Sequence, residues 1–302
     1  MFTVSRTVSR WLARWLLCSC VPAAAAVAEV PSPEAQALQS QQAQLQQPLA
    51  RSPFGRPVVL RSSTDDRAPQ GDVYAVLDHG FASVADALRQ PEAWCALMLL
   101  QTNVKRCEAQ GQGPSMQLTV GIARRYTDAP SEAQPVTLRF RAEPPQADYM
   151  AAEMHAPQGP LGSRDYRLHF EATPAGANKT FIHLRYSYRS GTAARLATQA
   201  YLATSGRDKV GFTVVGQDEQ GRPRHVGGIQ GVAERNTMRY FLAIDAYLDS
   251  LALPPTQRVE RRLRDFHAAL ERYPAQLRET TLNDYLAMKR RELRASDTVA
   301  GR

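Results

Sequence analysis

The chain lacks the short motifs that announce catalysis. No Gly-x-Ser-x-Gly elbow, phosphate-binding glycine loop or His-Glu-x-x-His occurs in its 302 residues. The commonest hydrolase, nucleotide-binding and zinc-protease signatures are therefore excluded. Six histidines, His79, His155, His169, His183, His225 and His267, fall at no metal-ligand spacing, and cysteine is sparse at four residues. Neither a metal nor a cofactor is expected. Long apolar runs are also missing: none reaches the roughly 18 residues of a membrane-spanning helix. Net charge is modest. The formal +8 includes Arg6, Arg10 and Arg14 near the N-terminus, which leaves five. No basic stripe with interleaved aromatics accompanies it, so nucleic acid is not an expected partner. Apolar residues make up 43% of the chain, enough to build a core.

What is present begins with an export signal. In residues 1–28, three arginines precede an apolar stretch from Trp11 to Val21, and Ala26-Val27-Ala28 offers small residues before a cut ahead of Glu29. This pattern predicts a secretory signal peptide and a periplasmic protein. The alternative is an uncleaved interfacial helix. Leu17-Cys18-Ser19-Cys20 is a poor lipoprotein box, so lipid anchoring at Cys20 is not expected. Cys18 and Cys20 leave with the signal, and Cys95 and Cys107 remain as an even pair in an oxidising compartment. A disulfide between them is expected, with two buried thiols as the alternative.

Residues 29–70 read as a tether rich in glutamine and proline. A marginal helix through Ala35–Gln46 is the most it offers, because its apolar stripe is thin, and Val58-Val59-Leu60 suggests an edge strand. From Gly71 the pattern changes. Val73–Leu77 predicts a strand, Phe81–Arg89 and Glu92–Leu100 two short helices, and Asn103–Cys107 another strand. Four stretches then alternate apolar and polar residues with period two: Met116–Ile122, Val136–Arg141, Tyr166–Glu171 and Ile182–Tyr188. Such alternation predicts antiparallel strands with one apolar face. The opposite phase carries Arg167, His169, His183 and Arg185, which predicts a wet, cationic outer face. A helix over Thr192–Thr204 and a strand over Lys209–Val215 are expected next. Gly228–Leu251 then repeats apolar residues at three- and four-residue steps, the pattern of a long helix stopped by Pro254-Pro255.

This order of elements over residues 71–251 resembles the helix-grip fold of the START and Bet v 1-like superfamily. The resemblance implies an α+β architecture: a curved antiparallel sheet, two short helices near the start and a long closing helix. The helix at Thr192–Thr204 and the strand after it depart from that pattern. Families of this type enclose an apolar cavity between sheet and closing helix. Some carry lipids or other hydrophobic ligands, and others are cyclases, hydrolases or scaffolds. The candidate pocket residues are Leu118, Val120, Leu138, Phe140, Leu168, Leu184, Tyr186 and Tyr188 on the sheet, and Tyr240, Phe241, Ile244 and Leu248 on the helix. Buried tyrosine hydroxyls need partners and could orient a headgroup there.

Residues 252–302 read as a helical appendage with eleven basic against seven acidic residues after Pro255, ending in Lys289-Arg290-Arg291. Either these charges meet an anionic membrane surface or a partner, or they form the solvated face of helices packed against the domain. Three functions are carried forward. The first is a periplasmic binding protein for a lipid or other hydrophobic small molecule. The second is an envelope scaffold acting through the tether and the C-terminal helices. The third is a cyclase- or hydrolase-like enzyme using His79 and the cavity tyrosines.

Overall fold

A computed structural model describes residues 1–3, 31–63, 68–159, 163–189, 191, 196, 199–200 and 208–300, with side chains to Arg294. The expected signal peptide lies almost wholly outside them, as does the helix expected at Thr192–Thr204. Two compact units are present, Met1–Val30 and Pro31–Arg302; the fold described is that of the second.

The alternating stretches form strands of one eight-stranded antiparallel sheet. Its members are β1 (Val58–Ser63), β2 (Gln70–Leu77), β3 (Val104–Gln110), β4 (Gln117–Ile122), β5 (Gln134–Ala142), β6 (Met150–Gln158), β7 (Arg164–Pro174) and β8 (Thr180–Arg189). Their order is β1-β2-β8-β7-β6-β5-β4-β3. Register carries the apolar phase across the sheet. Val73 pairs with Leu184, Leu184 with Phe170, and Phe170 with Ala152. Tyr186, Leu168, Met154 and Phe140 form the neighbouring row. Period two therefore delivers one continuous apolar face.

Several α-helices accompany the sheet among the described residues. They are α1 (Pro33–Gln44), α2 (Gln46–Ala50), α3 (Phe81–Leu88), α4 (Pro91–Met98), α5 (Gly228–Ser250), α6 (Pro255–Glu271), α7 (Pro274–Leu277) and α8 (Leu282–Ala300). The long helix α5 crosses the apolar face over β1, β2 and β8. Gly71 permits this approach, because a Cβ there would fall 2.2 Å from Thr237 Oγ1. The other half of the face is covered by α3 and α4, with Trp94 of α4 fully buried and edge-on to Phe170 at 5.8 Å. Cys95 and Cys107 are joined as a disulfide that ties α4 to β3, with Cα atoms 5.2 Å apart. The fold is an α+β helix grip.

Four expectations are corrected. Residues 29–70 are not a free tether: α1 and α2 pack on the outer face of the sheet. Ala35, Leu38, Leu45 and Leu49 are buried there against Tyr74, Tyr149, Ala151 and Phe181. Each buried leucine contributes about 1.5–3 kcal/mol relative to exposure. That outer face is wet at Thr137, Arg139, Arg141 and Arg167 as expected, but it is not simply cationic. Asp72, Glu153, Asp165 and Glu171 stand among its arginines and histidines and pair with them. The strand expected at Lys209–Val215 is displaced. Phe212 and Thr213 donate their backbone N–H groups to the Glu234 carboxylate, and a short hairpin of β9 (Val214–Gln217) and β10 (Pro223–His225) follows. Residues 252–300 do not stand off as an appendage; their helices pack against the domain, the second of the two expected arrangements. Leu263, Phe266, Leu277 and Tyr285 join the main core, α6 lies along α5, and α8 meets β3.

Candidate binding cleft

The space between sheet and closing helix is packed with side chains. Leu118, Val120, Leu138, Phe140, Leu168, Leu184, Tyr186, Tyr188, Phe241, Ile244 and Leu248 are all buried within one core, and Tyr240 packs against it. The structure thus brings the sequence-derived candidates together. Met150, Met154 and Phe170, each fully buried, share the sheet face with them. The tyrosines make contact with one another. Tyr166 stacks on Tyr188 at 5.1 Å, and Tyr186 meets Tyr240 at 5.7 Å. Burial pushes the Tyr186, Tyr188 and Tyr240 hydroxyls upward, which keeps them neutral.

Four of the histidines, His79, His155, His169 and His183, face carboxylates, while His225 and His267 face backbone carbonyls. His183 lies between Asp72 and Glu171, with Nε2 at 2.7 Å and Nδ1 at 2.9 Å from the carboxylates, and its ring stacks on Tyr74 at 4.4 Å. Burial opposes its charge, but the two hydrogen bonds outweigh burial, and its pKa is raised. An imidazolium that donates from both nitrogens has no lone pair for a metal or a substrate proton. His79 pairs with Asp249 at 3.0 Å, not with Asp78, which reaches Lys179. Among the described residues no cluster of histidine, cysteine or carboxylate side chains is arranged to hold a metal.

Two surface clefts stand out. One, about 350 Å³, is lined by Arg124, Arg125, Asp128, Glu132 and Gln134 of the β4–β5 turn. Its charges are mixed, and Asp128 is occupied in accepting the Arg125 N–H at 2.8 Å. The other, about 370 Å³, runs beside the sheet edge and is mostly apolar. Its lining is Pro48, Arg51, Pro53, Phe54, Val58, Val59, Leu60, Phe212, Thr213 and Val214. That volume falls within the range of small-molecule sites.

Each wall of this second cleft has a local cause. Pro53 and Pro57 keep residues 51–57, between α2 and β1, out of helix or strand. Ser52 Oγ donates to the Val58 carbonyl at 2.7 Å and folds the segment back on β1. Arg56 anchors it to α5 by pairing with both oxygens of Asp245. Phe54 is set against Phe212 at 5.7 Å and Tyr273 at 6.0 Å. The opposite wall hangs on Glu234, fully buried in α5. Its carboxylate accepts from Phe212 N–H, Thr213 N–H, Thr213 Oγ1 and, on the β1 side, Ser62 Oγ. Gly211 is required beside it, because a Cβ would fall 2.6 Å from Glu234 Oε2. Val214 and Val215 stand exposed at 55% and 46%. Sequence reasoning places Val58–Leu60 as an edge strand but does not single out Phe54, Phe212 or Val214. Phe54 lies alone in a proline-rich stretch, and Phe212 and Val214 fall within the expected Lys209–Val215 strand.

No protein-family model matches the chain, and no curated protein matches it. Similarity to solved structures is widespread and distant. Ara h 8.0201 is 10% identical at a TM-score of 0.35, over 61% of this chain and 99% of that one. A STAR-related lipid transfer protein from Xanthomonas axonopodis is 12% identical at 0.34, over 49% and 86%. The Zhui aromatase/cyclase from Streptomyces sp. R1128 is 13% identical at 0.32, over 46% and 86%. Likeness at this level says nothing of ligand or reaction. The helix grip is a property of this chain's own strand order and of where α5 lies.

Proposed function

We propose that the chain is an exported, periplasmic binding module that takes an apolar ligand in the cleft beside β1. The observation that carries this reading is the contrast between two places. The sheet-to-helix space is lined by buried apolar side chains in contact with one another, whereas the edge cleft opens about 370 Å³ to solvent between Leu60, Phe54, Phe212 and Val214. Burial of apolar ligand surface drives binding at roughly 25 cal/mol per Å² before ordering costs. An enzyme reading has little support, because Arg51 and Thr213 are the only residues with polar side chains in that lining. The scaffold reading loses its two expected contact segments to packing within the unit. A membrane-surface contact is also weakly supported: Arg261, Arg264, Arg278 and Arg290 pair with Asp265, Glu260, Glu271 and Glu260, and Lys289 is buried.

The test is a titration with 1-anilinonaphthalene-8-sulfonate, whose rings suit the walls and whose sulfonate suits Arg51. Saturable binding that is lost in Val214→Asp and weakened in Arg51→Glu supports the reading. Equal titrations of both variants and the parent overturn it. Native mass spectrometry of protein from an exporting host reports a retained ligand and the cut before Glu29 in the same spectrum.

A further inference from the structure

We infer that the occupant of this cleft is an extended peptide segment that adds as a strand to the free edge of β1. The inference rests on the reading of the cleft as the binding site and names the class of its ligand. Among the described residues, β1 is the terminal strand of the sheet and pairs only with β2. The Val76 N–H donates to the Pro57 carbonyl at 3.0 Å, which sets the hydrogen-bonding phase. Residues 57, 59, 61 and 63 turn their backbone groups toward β2, and residues 58, 60 and 62 turn theirs outward. The first outward residue is already closed, since Val58 N–H donates to the Arg56 carbonyl and its C=O accepts from Ser52. The next two are open. Among the described residues, nothing hydrogen-bonds the backbone N–H or C=O of Leu60, or those of Ser62 on that edge.

A hydrocarbon chain satisfies none of these four groups. A strand satisfies all of them with three residues, because alternate residues of a strand lie about 6.6 Å apart. Side chains of the added strand then reach Val58, Leu60, Phe212 and Val214 in the cleft. Charge narrows the ligand further. The lining contains no carboxylate, and Arg51 is exposed and makes no ion pair among the described residues. The segment that fits is β-branched or otherwise apolar at alternate positions and carries a carboxylate.

The test uses the full chain and fluorescence anisotropy of a labelled hexapeptide, Val-Thr-Val-Glu-Val-Thr, with two N-methylated versions methylated at odd or at even residues. Dodecanoate is titrated in parallel. The expected result is saturable binding of the parent peptide, weakened at least about tenfold by one methylation pattern. Leu60→Pro should give the same loss. Its missing N–H faces outward, so no bond to β2 is removed, and proline is tolerated on an edge strand; an unchanged melting curve verifies this. Equal binding of all three peptides overturns strand addition. Dodecanoate binding without peptide binding also overturns it while leaving the apolar cleft in place. Binding of neither probe removes both readings.

Discussion

Glu234 holds Thr213 twice: its carboxylate accepts the Thr213 backbone N–H at 2.9 Å and the Thr213 hydroxyl at 2.6 Å. These bonds join the middle of the chain to the closing helix, and Ser62 on β1 shares the same carboxylate. The cleft is therefore as wide as Glu234 makes it. Glu234→Ala leaves four part-buried donors without this acceptor. Its expected cost is about 3 kcal/mol in urea unfolding. Loss of at least about tenfold in binding of an apolar probe should accompany it. Glu234→Gln keeps the shape and should lose less on both counts. A Glu234→Ala protein that unfolds and binds like the parent would show that the far wall stands without this carboxylate.

His183 should make stability depend on pH in a defined direction. Its folded pKa lies above the ordinary 6.5, so its contribution is complete below about pH 6.5 and fades as pH rises through the folded value. Asp72 and Glu171 shift the opposite way from 3.8 and 4.5. Burial resists their charge, but hydrogen bonds from His183 and its neighbours outweigh it. Their contribution is complete above those ordinary values and is lost as pH falls through the lowered ones. The melting temperature of the parent minus that of His183→Gln should be largest near pH 5–6 and shrink above. A difference that grows on the alkaline side would mean that the ring is neutral between its two carboxylates.

The Cys95–Cys107 bridge closes a short loop between α4 and β3, with a sequence separation of 12. Constraining a loop of that length in the unfolded chain stabilises by about 3 kcal/mol in the chain-entropy model. Cys107→Ser paired with Cys95→Ala should lower unfolding stability by that order. Reduction of the parent should lower it to the same level. A double variant as stable as the oxidised parent would place the stabilisation elsewhere.

What was legible in the sequence follows from how far each signal reaches. Half-buried strands alternate, so Met116–Ile122 and Ile182–Tyr188 announced β4 and β8 from local pattern alone. The three- and four-residue steps from Ile229 to Leu248 announced α5 in the same way. Leu38, Leu45 and Leu49 did not announce docking, because they are spaced among glutamines and their partners Tyr74 and Phe181 are distant in sequence. The cleft was least visible. Phe54 and Phe212 are 158 positions apart, and only the completed fold sets their rings 5.7 Å apart. Charge misled for a related reason. Lys289 in Lys289-Arg290-Arg291 reads as part of a solvated basic end, and nothing local reveals that it is 1% exposed.

Lys289 lies in a buried triad that fixes the last helix to the sheet. Its ammonium donates to Glu292 at 2.9 Å and to the Val104 carbonyl at 2.8 Å, while Lys105 reaches the other Glu292 oxygen at 2.7 Å. Two cations thus share one carboxylate. Burial is the main cause that lowers the Lys289 pKa to about 8, with Lys105 adding repulsion against the pull of Glu292. Between about pH 8 and the ordinary lysine value of 10.5, the unfolded chain keeps a proton that the folded chain has released. Stability from this group therefore rises with pH across that window. Lys289→Met should remove the rise and cost little, because Lys105 and Glu292 remain a matched pair. Glu292→Gln should cost about 3–5 kcal/mol near pH 7, because it leaves two buried ammonium groups without a counter-charge. Urea unfolding from pH 7 to 10 separates the two variants. If Lys289→Met proves the more damaging, or keeps the parent's pH slope, the triad does not carry its charges as the contacts require.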